Sequence, residues 1–218
     1  MVDFVSSTIG KKYLMAIMGL VWLGFVASHM AGNLLIFVGA DAYNAYSHAL
    51  ITNKLILIAE GILVLSLLVH IILGISLTIQ NKRSRPVGYA SAGTKEKAAS
   101  LASRTMAIHG MVILVFIISH LITFKYGIVY ETMVNGVPMR DLHRLIIEIF
   151  HQPVYVAWYV VAVVMMGFHL SHGAKSVFQS LGLLHPAYDC AIKKFACGYS
   201  AIVTLGFLAQ PIYVFLFV

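Results

Sequence analysis

Five apolar runs, each long enough to cross a bilayer as a helix, take up most of the chain. A hydrocarbon core about 30 Å thick needs roughly 20 apolar residues in α-helix, and only helices or closed barrels satisfy every backbone N–H and C=O inside it. The runs span about Lys12–Val38, Asn53–Gln80, Thr105–Tyr126, Gln152–Gln179 and Phe195–Phe217. Only 11% of the 218 residues are charged, against about a quarter in a soluble domain. The expected fold is therefore all-α, an integral membrane bundle of five transmembrane helices, with 1–218 as one domain. The first run is too long for the apolar stretch of a signal peptide and is expected to span the membrane.

The formal charge of +7 invites a nucleic-acid reading, but the basic residues sit between the apolar runs. Lys11 and Lys12 precede the first run, and Lys82, Arg83, Arg85, Lys95, Lys97 and Arg104 lie between the second and third. Lys175, Lys193 and Lys194 flank the connection between the fourth and fifth. Eleven of the 15 thus fall on one side, leaving Lys54, Lys125, Arg140 and Arg144 for the other. The positive-inside rule makes the richer side cytoplasmic, with the N-terminus inside and the C-terminus outside. On the outer side, 41–48 joins the first two runs. Leu142, Leu145, Ile146 and Ile149 recur there at helical spacing, as in a short helix lying on the membrane surface. Cys190 and Cys197 form neither CxxC nor CxxCH, which excludes covalent haem attachment and leaves them as reduced thiols.

Ligating side chains inside a membrane are costly and are functional candidates by default. Four runs carry a histidine well inside: His29, His70, His120 and His169. At 1.5 Å per residue, His29 and His120 lie roughly 24 and 22 Å from the inner ends of their helices. His70 and His169, on helices running the other way, both lie roughly 15 Å from the inner end. The four sort into two level pairs, each joining alternate helices, as the diagonals of a four-helix bundle would. Haem iron takes axial imidazoles on opposite sides of its ring, so each pair is a candidate for one haem b. With both axial positions filled by protein, electron transfer is the natural task. Zinc fits less well, because a structural site wants four ligands at one depth. Gly24, Gly74, Gly110 and Gly173 lie near these histidines, where they either admit a flat ring or serve ordinary helix packing. Ser66, one turn before His70, is a candidate to orient its imidazole.

The other six histidines weigh less. His48, His143 and His151 fall at the outer surface, and His109, His172 and His185 toward the inner one. A solvated or interfacial place is the simpler account of each. His109, 11 residues before His120 and on nearly the same helix face, is the best exception and a candidate to hydrogen-bond an inner haem propionate. His172 is three residues from His169, about 60° and 4.5 Å away on the helix. Depth favours His169 as the ligand and leaves His172 near a haem edge. Glu60, early in the second run, reads either as a carboxylate bonded to a neighbouring helix or as a proton-handling group.

The chain resembles the di-haem cytochrome b subunit of succinate dehydrogenases and fumarate reductases. The resemblance runs from Ser7-Thr-Ile-Gly-Lys-Lys-Tyr13 through Ser28-His-Met-Ala-Gly-Asn33, Tyr43-Asn-Ala-Tyr-Ser-His48, Val69-His-Ile-Ile-Leu-Gly74, Ser119-His120 and Phe168-His-Leu-Ser-His-Gly173 to Ser176-Val-Phe-Gln-Ser-Leu-Gly182. It implies a multi-pass subunit of the bacterial cytoplasmic membrane that anchors a flavoprotein subunit and an iron–sulfur subunit on the cytoplasmic side. It also implies two haem b groups, the inner held by His70 and His169 and the outer by His29 and His120. The quinone is expected to be menaquinone or menaquinol. Some di-haem fumarate reductases carry a glutamate two residues before the position of His169, associated with transmembrane proton movement. Here that residue is Gly167, which puts such a path in doubt.

The chain has no dinucleotide-binding GxGxxG and no cysteine cluster for an iron–sulfur centre, so it cannot convert succinate or fumarate alone. Its expected part is electron transfer to or from quinone. A quinone pocket beside His29 and His120 is expected, with His48 and Tyr43 as candidates for hydrogen bonding or proton exchange. Alternatives are the cytochrome b subunit of a hydrogenase or formate dehydrogenase, and a small transporter or proton channel using histidine relays.

Overall fold

The structure, a computed structural model, describes residues 4, 6–84 and 104–218. Among them run seven α-helices: α1 Thr8–Asn33, α2 Ala40–Thr52, α3 Leu55–Arg83, α4 Met106–His120, α5 Leu142–Phe150, α6 Pro153–Ser180 and α7 Asp189–Phe217. A 3₁₀ turn, Leu34–Phe37, prolongs α1, and a π-helical turn, Leu121–Lys125, prolongs α4. Strands β1 Glu131–Val134 and β2 Val137–Arg140 form a small antiparallel hairpin. The fold is all-α, and five helices are long and apolar enough to cross a membrane: Thr8–Phe37, Leu55–Arg83, Met106–Lys125, Pro153–Ser180 and Asp189–Phe217. The chain is a multi-pass membrane protein. Arg85, Lys95 and Lys97, which enter the charge argument, lie outside the described residues.

Local chemistry sets the helix ends. Ser7 Oγ caps α1 by accepting from Gly10 N (3.0 Å), Asp141 caps α5 by accepting from Arg144 N (3.0 Å), and Pro153 opens α6 with its φ already helical. The fifth span begins at Asp189, six residues earlier than the apolar run at Phe195 suggests. The Asp189 carboxylate favours a helix N-terminus. It also pairs with Lys193 one turn on (2.5 Å) and with Lys175 of α6 (3.7 Å), so this polar stretch is helical. The segment 41–48 lies inside α2, and the short helix expected around Leu142–Ile149 is α5, with Leu145 and Ile146 buried in the protein. The hairpin was not anticipated. Its turn is Asn135-Gly136, both residues at positive φ (51° and 79°), which a two-residue hairpin turn requires.

Helix α1 packs on α3, α6 and α7, and α4 packs on α3 and α6. The order α1–α3–α4–α6 therefore closes a four-helix ring, with α7 outside it against α6 and α1. Both tryptophans cross between neighbours: Trp22 Nε1 donates to Ser66 Oγ (3.0 Å), and Trp158 Nε1 donates to Ser119 Oγ (3.1 Å). On α6, a Cβ added at Gly167 would collide with the Thr204 side chain of α7. Glycine at this position is what lets α6 and α7 close together. Large apolar side chains cover the outside, among them Ile58, Ile62, Leu65 and Ile72 on α3 and Ile202 and Leu205 on α7. Exposed apolar surface on this scale suits lipid rather than water.

At one end α2, the hairpin and α5 form a cap. Asn44, 1% exposed, donates to Asp141 Oδ1 (2.8 Å) and accepts from His143 N (2.9 Å). Tyr130 OH donates to Glu148 (2.6 Å), which also takes a bond from Arg144 Nε (3.0 Å). Ile36, Tyr43, Ile146, Phe150, Val156, Tyr159 and Val214 form the core beneath this cap. The opposite end carries Lys11, Lys12, Lys82, Arg83, Lys175, Lys193 and Lys194. The bundle thus has a hairpin end and a basic end.

Candidate functional site: two histidine pairs

The structure brings His29 of α1 against His120 of α4, ring centres 5.8 Å apart and planes at 90°. It brings His70 of α3 against His169 of α6 at 6.2 Å and 57°. Each pair joins opposite corners of the ring of four helices. Two imidazoles on opposite sides of one metal ion, each nitrogen about 2 Å from it, have ring centres about 6 Å apart. Both pairs stand at that separation. Among the described residues no three His, Cys, Asp or Glu side chains converge on one point. A haem macrocycle would bring four further ligands to a metal held at either pair.

The His29–His120 pair sits under the cap in an aromatic shell. Phe25 stacks on His29 at 5.2 Å, and Phe207 approaches it at 5.9 Å. Phe116, Phe124 and Tyr159 surround His120 at 5.7, 5.4 and 6.2 Å. His120 Nδ1 lies 3.1 Å from the Tyr159 hydroxyl. With Nδ1–H donating, Nε2 keeps the lone pair a metal needs. On the other side, Asn33 Nδ2 donates to the His29 carbonyl (2.8 Å) and stands 3.5 Å from His29 Nδ1. Tyr43 OH donates to Asn33 Oδ1 (2.6 Å). Tyr43 thus reaches the pair through Asn33, and burial raises its pKa well above the ordinary value of 10.0. Its ring also meets His143 at 6.1 Å. His48 is half-buried, and among the described residues its side chain makes no hydrogen bond or ring contact that ties it to the pair.

At the His70–His169 pair, Nδ1 of each ring is buried with no hydrogen-bond partner. A buried ring nitrogen left without a partner costs about 1–3 kcal/mol, whether it is a donor or an acceptor. A Cβ on Gly110 would stand 3.8 Å from His169 Cε1, and one on Gly19 would stand 4.0 Å from His70 Cε1. Gly19 joins the histidine neighbourhood unanticipated. Gly74 instead faces Met15, while Gly24 lies on the exposed stripe of α1 that also carries Ile17 and Leu20. Ser66 does not orient His70. Its hydroxyl donates to Leu63 O (2.9 Å) and accepts from Trp22, so it ties α3 to α1.

His109, in the first turn of α4, is buried (6% exposed). It stacks on Phe168, the neighbour of His169, at 5.8 Å and 20°, with Nε2 3.1 Å from Thr105 Oγ1 and Nδ1 buried without a partner. His172 is half-buried and joins neither pair. Glu60 pairs with Lys125 at 2.5 Å, tying α3 to the π-turn after α4. Tyr159, Asn33 and the two tryptophans escaped the sequence, because the contacts that matter run between helices. Compared with protein-family models, curated proteins and solved structures, the chain has no match.

Proposed function

We propose that this chain is the membrane-anchor cytochrome b subunit of a succinate:quinone oxidoreductase, working as a succinate dehydrogenase or a fumarate reductase. The observation that carries the reading is the pair of facing imidazoles on each diagonal of one helical ring, 5.8 and 6.2 Å apart at two depths. In this reading His70 and His169 hold one haem b and His29 and His120 hold the other. Haem, when bound, supplies a one-electron couple. The chain's own residues keep each imidazole in place. Tyr159 holds His120, Asn33 backed by Tyr43 packs against His29, and the phenylalanines around them keep water away. His109, beside Phe168 and His169, is a proposed propionate partner, as is His172.

The proposed reaction is electron exchange between a flavoprotein and iron–sulfur unit at the basic end and menaquinone or menaquinol near the hairpin end. Tyr43 has the better claim to a quinone-side role, through its bond to Asn33, and His48 remains a candidate by position. In this reading the chain lies in a bacterial cytoplasmic membrane with its N-terminus inside. The test is to purify the tagged full chain from its native membranes. A red preparation carrying a flavoprotein and an iron–sulfur subunit, with quinone-coupled succinate or fumarate turnover, is expected. A nickel or molybdenum subunit in place of the flavoprotein would assign the chain to a hydrogenase or formate dehydrogenase. A colourless preparation would favour a histidine-relay transporter.

A further inference from the structure

At the basic end an open cleft of about 420 Å³ lies along α3 against Lys11 of α1, lined by Lys11, Ser76, Ile79, Gln80, Arg83 and Ser84. Its polar walls are held in place. Lys11 Nζ donates to Ser76 Oγ (3.1 Å), and Gln80 Nε2 donates to Thr8 Oγ1 (3.0 Å), both across the two helices. Lys12 and Lys82 stand exposed beside it. Among the described residues, no carboxylate pairs with Lys11 or Arg83. Among the described residues, the Asp189 carboxylate of this end is taken by Lys175 and Lys193.

The cleft has a second property that a site for a free anion would not need. Lys11 lies in the first turn of the span that opens at Thr8, and Arg83 is the last residue of α3. The cations therefore stand at the rim of the apolar belt. Directly inward along α3 come Ile79, Ile75 and Ile72, at spacings of four and three residues, which places them on one face. They are 46%, 56% and 64% exposed. A cationic cleft leads straight onto an apolar strip. The ligand that uses both halves has a phosphate anion joined to acyl chains.

We propose that this cleft binds the headgroup of an anionic phospholipid, with its phosphodiester on Lys11 and Arg83 and its acyl chains along Ile79, Ile75 and Ile72. Basic pockets between membrane helices on the basic side are suited to such headgroups, each Lys or Arg contributing about fivefold in affinity. Two contacts therefore account for about 30-fold. The site is separate from the histidine pairs and does not depend on what they bind.

The test is native mass spectrometry of the detergent-solubilised full chain, titrated with dioleoylphosphatidylglycerol and, separately, dioleoylphosphatidylcholine. One phosphatidylglycerol should be retained in preference to phosphatidylcholine. Lys11→Gln with Arg83→Gln should weaken retention about 30-fold. Lys54→Gln with Lys194→Gln removes equal charge away from the cleft and should leave retention unchanged. Circular dichroism checks helix content in each, and if the first double variant fails to fold, Arg83→Gln alone should show about fivefold. Equal retention by parent and cleft variant overturns the inference, as does equal retention of the two lipids. Displacement of the lipid by millimolar inorganic phosphate would make the cleft a free-anion site. A chain isolated together with the partners proposed at the basic end and retaining no phosphatidylglycerol would also overturn the inference.

Discussion

Replacing Tyr159 by phenylalanine removes one hydroxyl from the hairpin-end pair and little else. The ring packs against Phe116, Phe124 and Phe150 at 4.9, 6.1 and 4.9 Å, and phenylalanine keeps those contacts. What goes is the 3.1 Å contact with His120 Nδ1, and a hydrogen bond of this kind is worth about 1 kcal/mol. A donating Nδ1–H makes the imidazole a more basic ligand, which favours the oxidised state of an iron held at Nε2. Its loss should therefore raise the reduction potential of the haem proposed at His29 and His120. If the whole bond energy separates the two oxidation states, the shift is about 40 mV for a one-electron couple. The assay is a potentiometric titration of the haem absorption in the purified chain, resolved into two components. One component should rise by up to about that amount while the other stays in place. A variant with full haem content and both potentials unmoved, or one lowered, would refute the tautomer and role assigned to His120.

Gly167→Ala should destabilise the protein by about 1–3 kcal/mol, because a Cβ there overlaps Thr204. Thr204→Ala should recover most of the loss in thermal unfolding, and an unchanged single variant would contradict this packing account. The cap should loosen with acid. Burial lowers the His143 pKa below 6.5, so folding disfavours its protonation and the native state loses stability as pH falls through that value. Bonds from Tyr130 and Arg144 lower the Glu148 pKa below 4.5, so its contribution, present above 4.5, is lost on further acidification. Intrinsic-rate-corrected hydrogen exchange of α5 should show protection falling in these two windows, and a flat profile from pH 7 to 4 would contradict it. In a Cys197→Ser background, exposed Cys190 should resist a membrane-impermeant maleimide in intact spheroplasts and react once they are lysed. Labelling of intact spheroplasts would reverse the proposed topology.

The spans were legible because apolar length alone decides them, and four of the five boundaries fall within a few residues of the apolar runs. The fifth shows the limit: hydropathy marks where lipid begins, whereas the helix starts earlier, at Asp189, on a cap charge and an ion pair. The hairpin carries a local signal in Asn135-Gly136, which is a matter of turn chemistry and is invisible to hydropathy. Depth counting along four helices put together the histidines that the structure brings into contact, since helical rise is a property of sequence position alone. Their surroundings were not legible. Ser66 lies one turn from His70 in sequence yet is claimed by Trp22 from another helix. Tyr159 lies ten residues before His169 but serves His120 on a different helix. Such partners depend on how helices rotate and cross, which one-dimensional periodicity leaves open. Gly167 carried its meaning only once Thr204 stood opposite it.

The central claim is that each facing histidine pair holds one haem, and haem content per chain tests it directly. The pyridine haemochrome assay on the purified full chain should give two haem b per polypeptide. His169→Ala should lose the haem at the basic end, leaving one, or none if assembly fails, while His172→Ala should keep two. A parent chain without haem, or one haem in His172→Ala beside two in His169→Ala, would contradict the account.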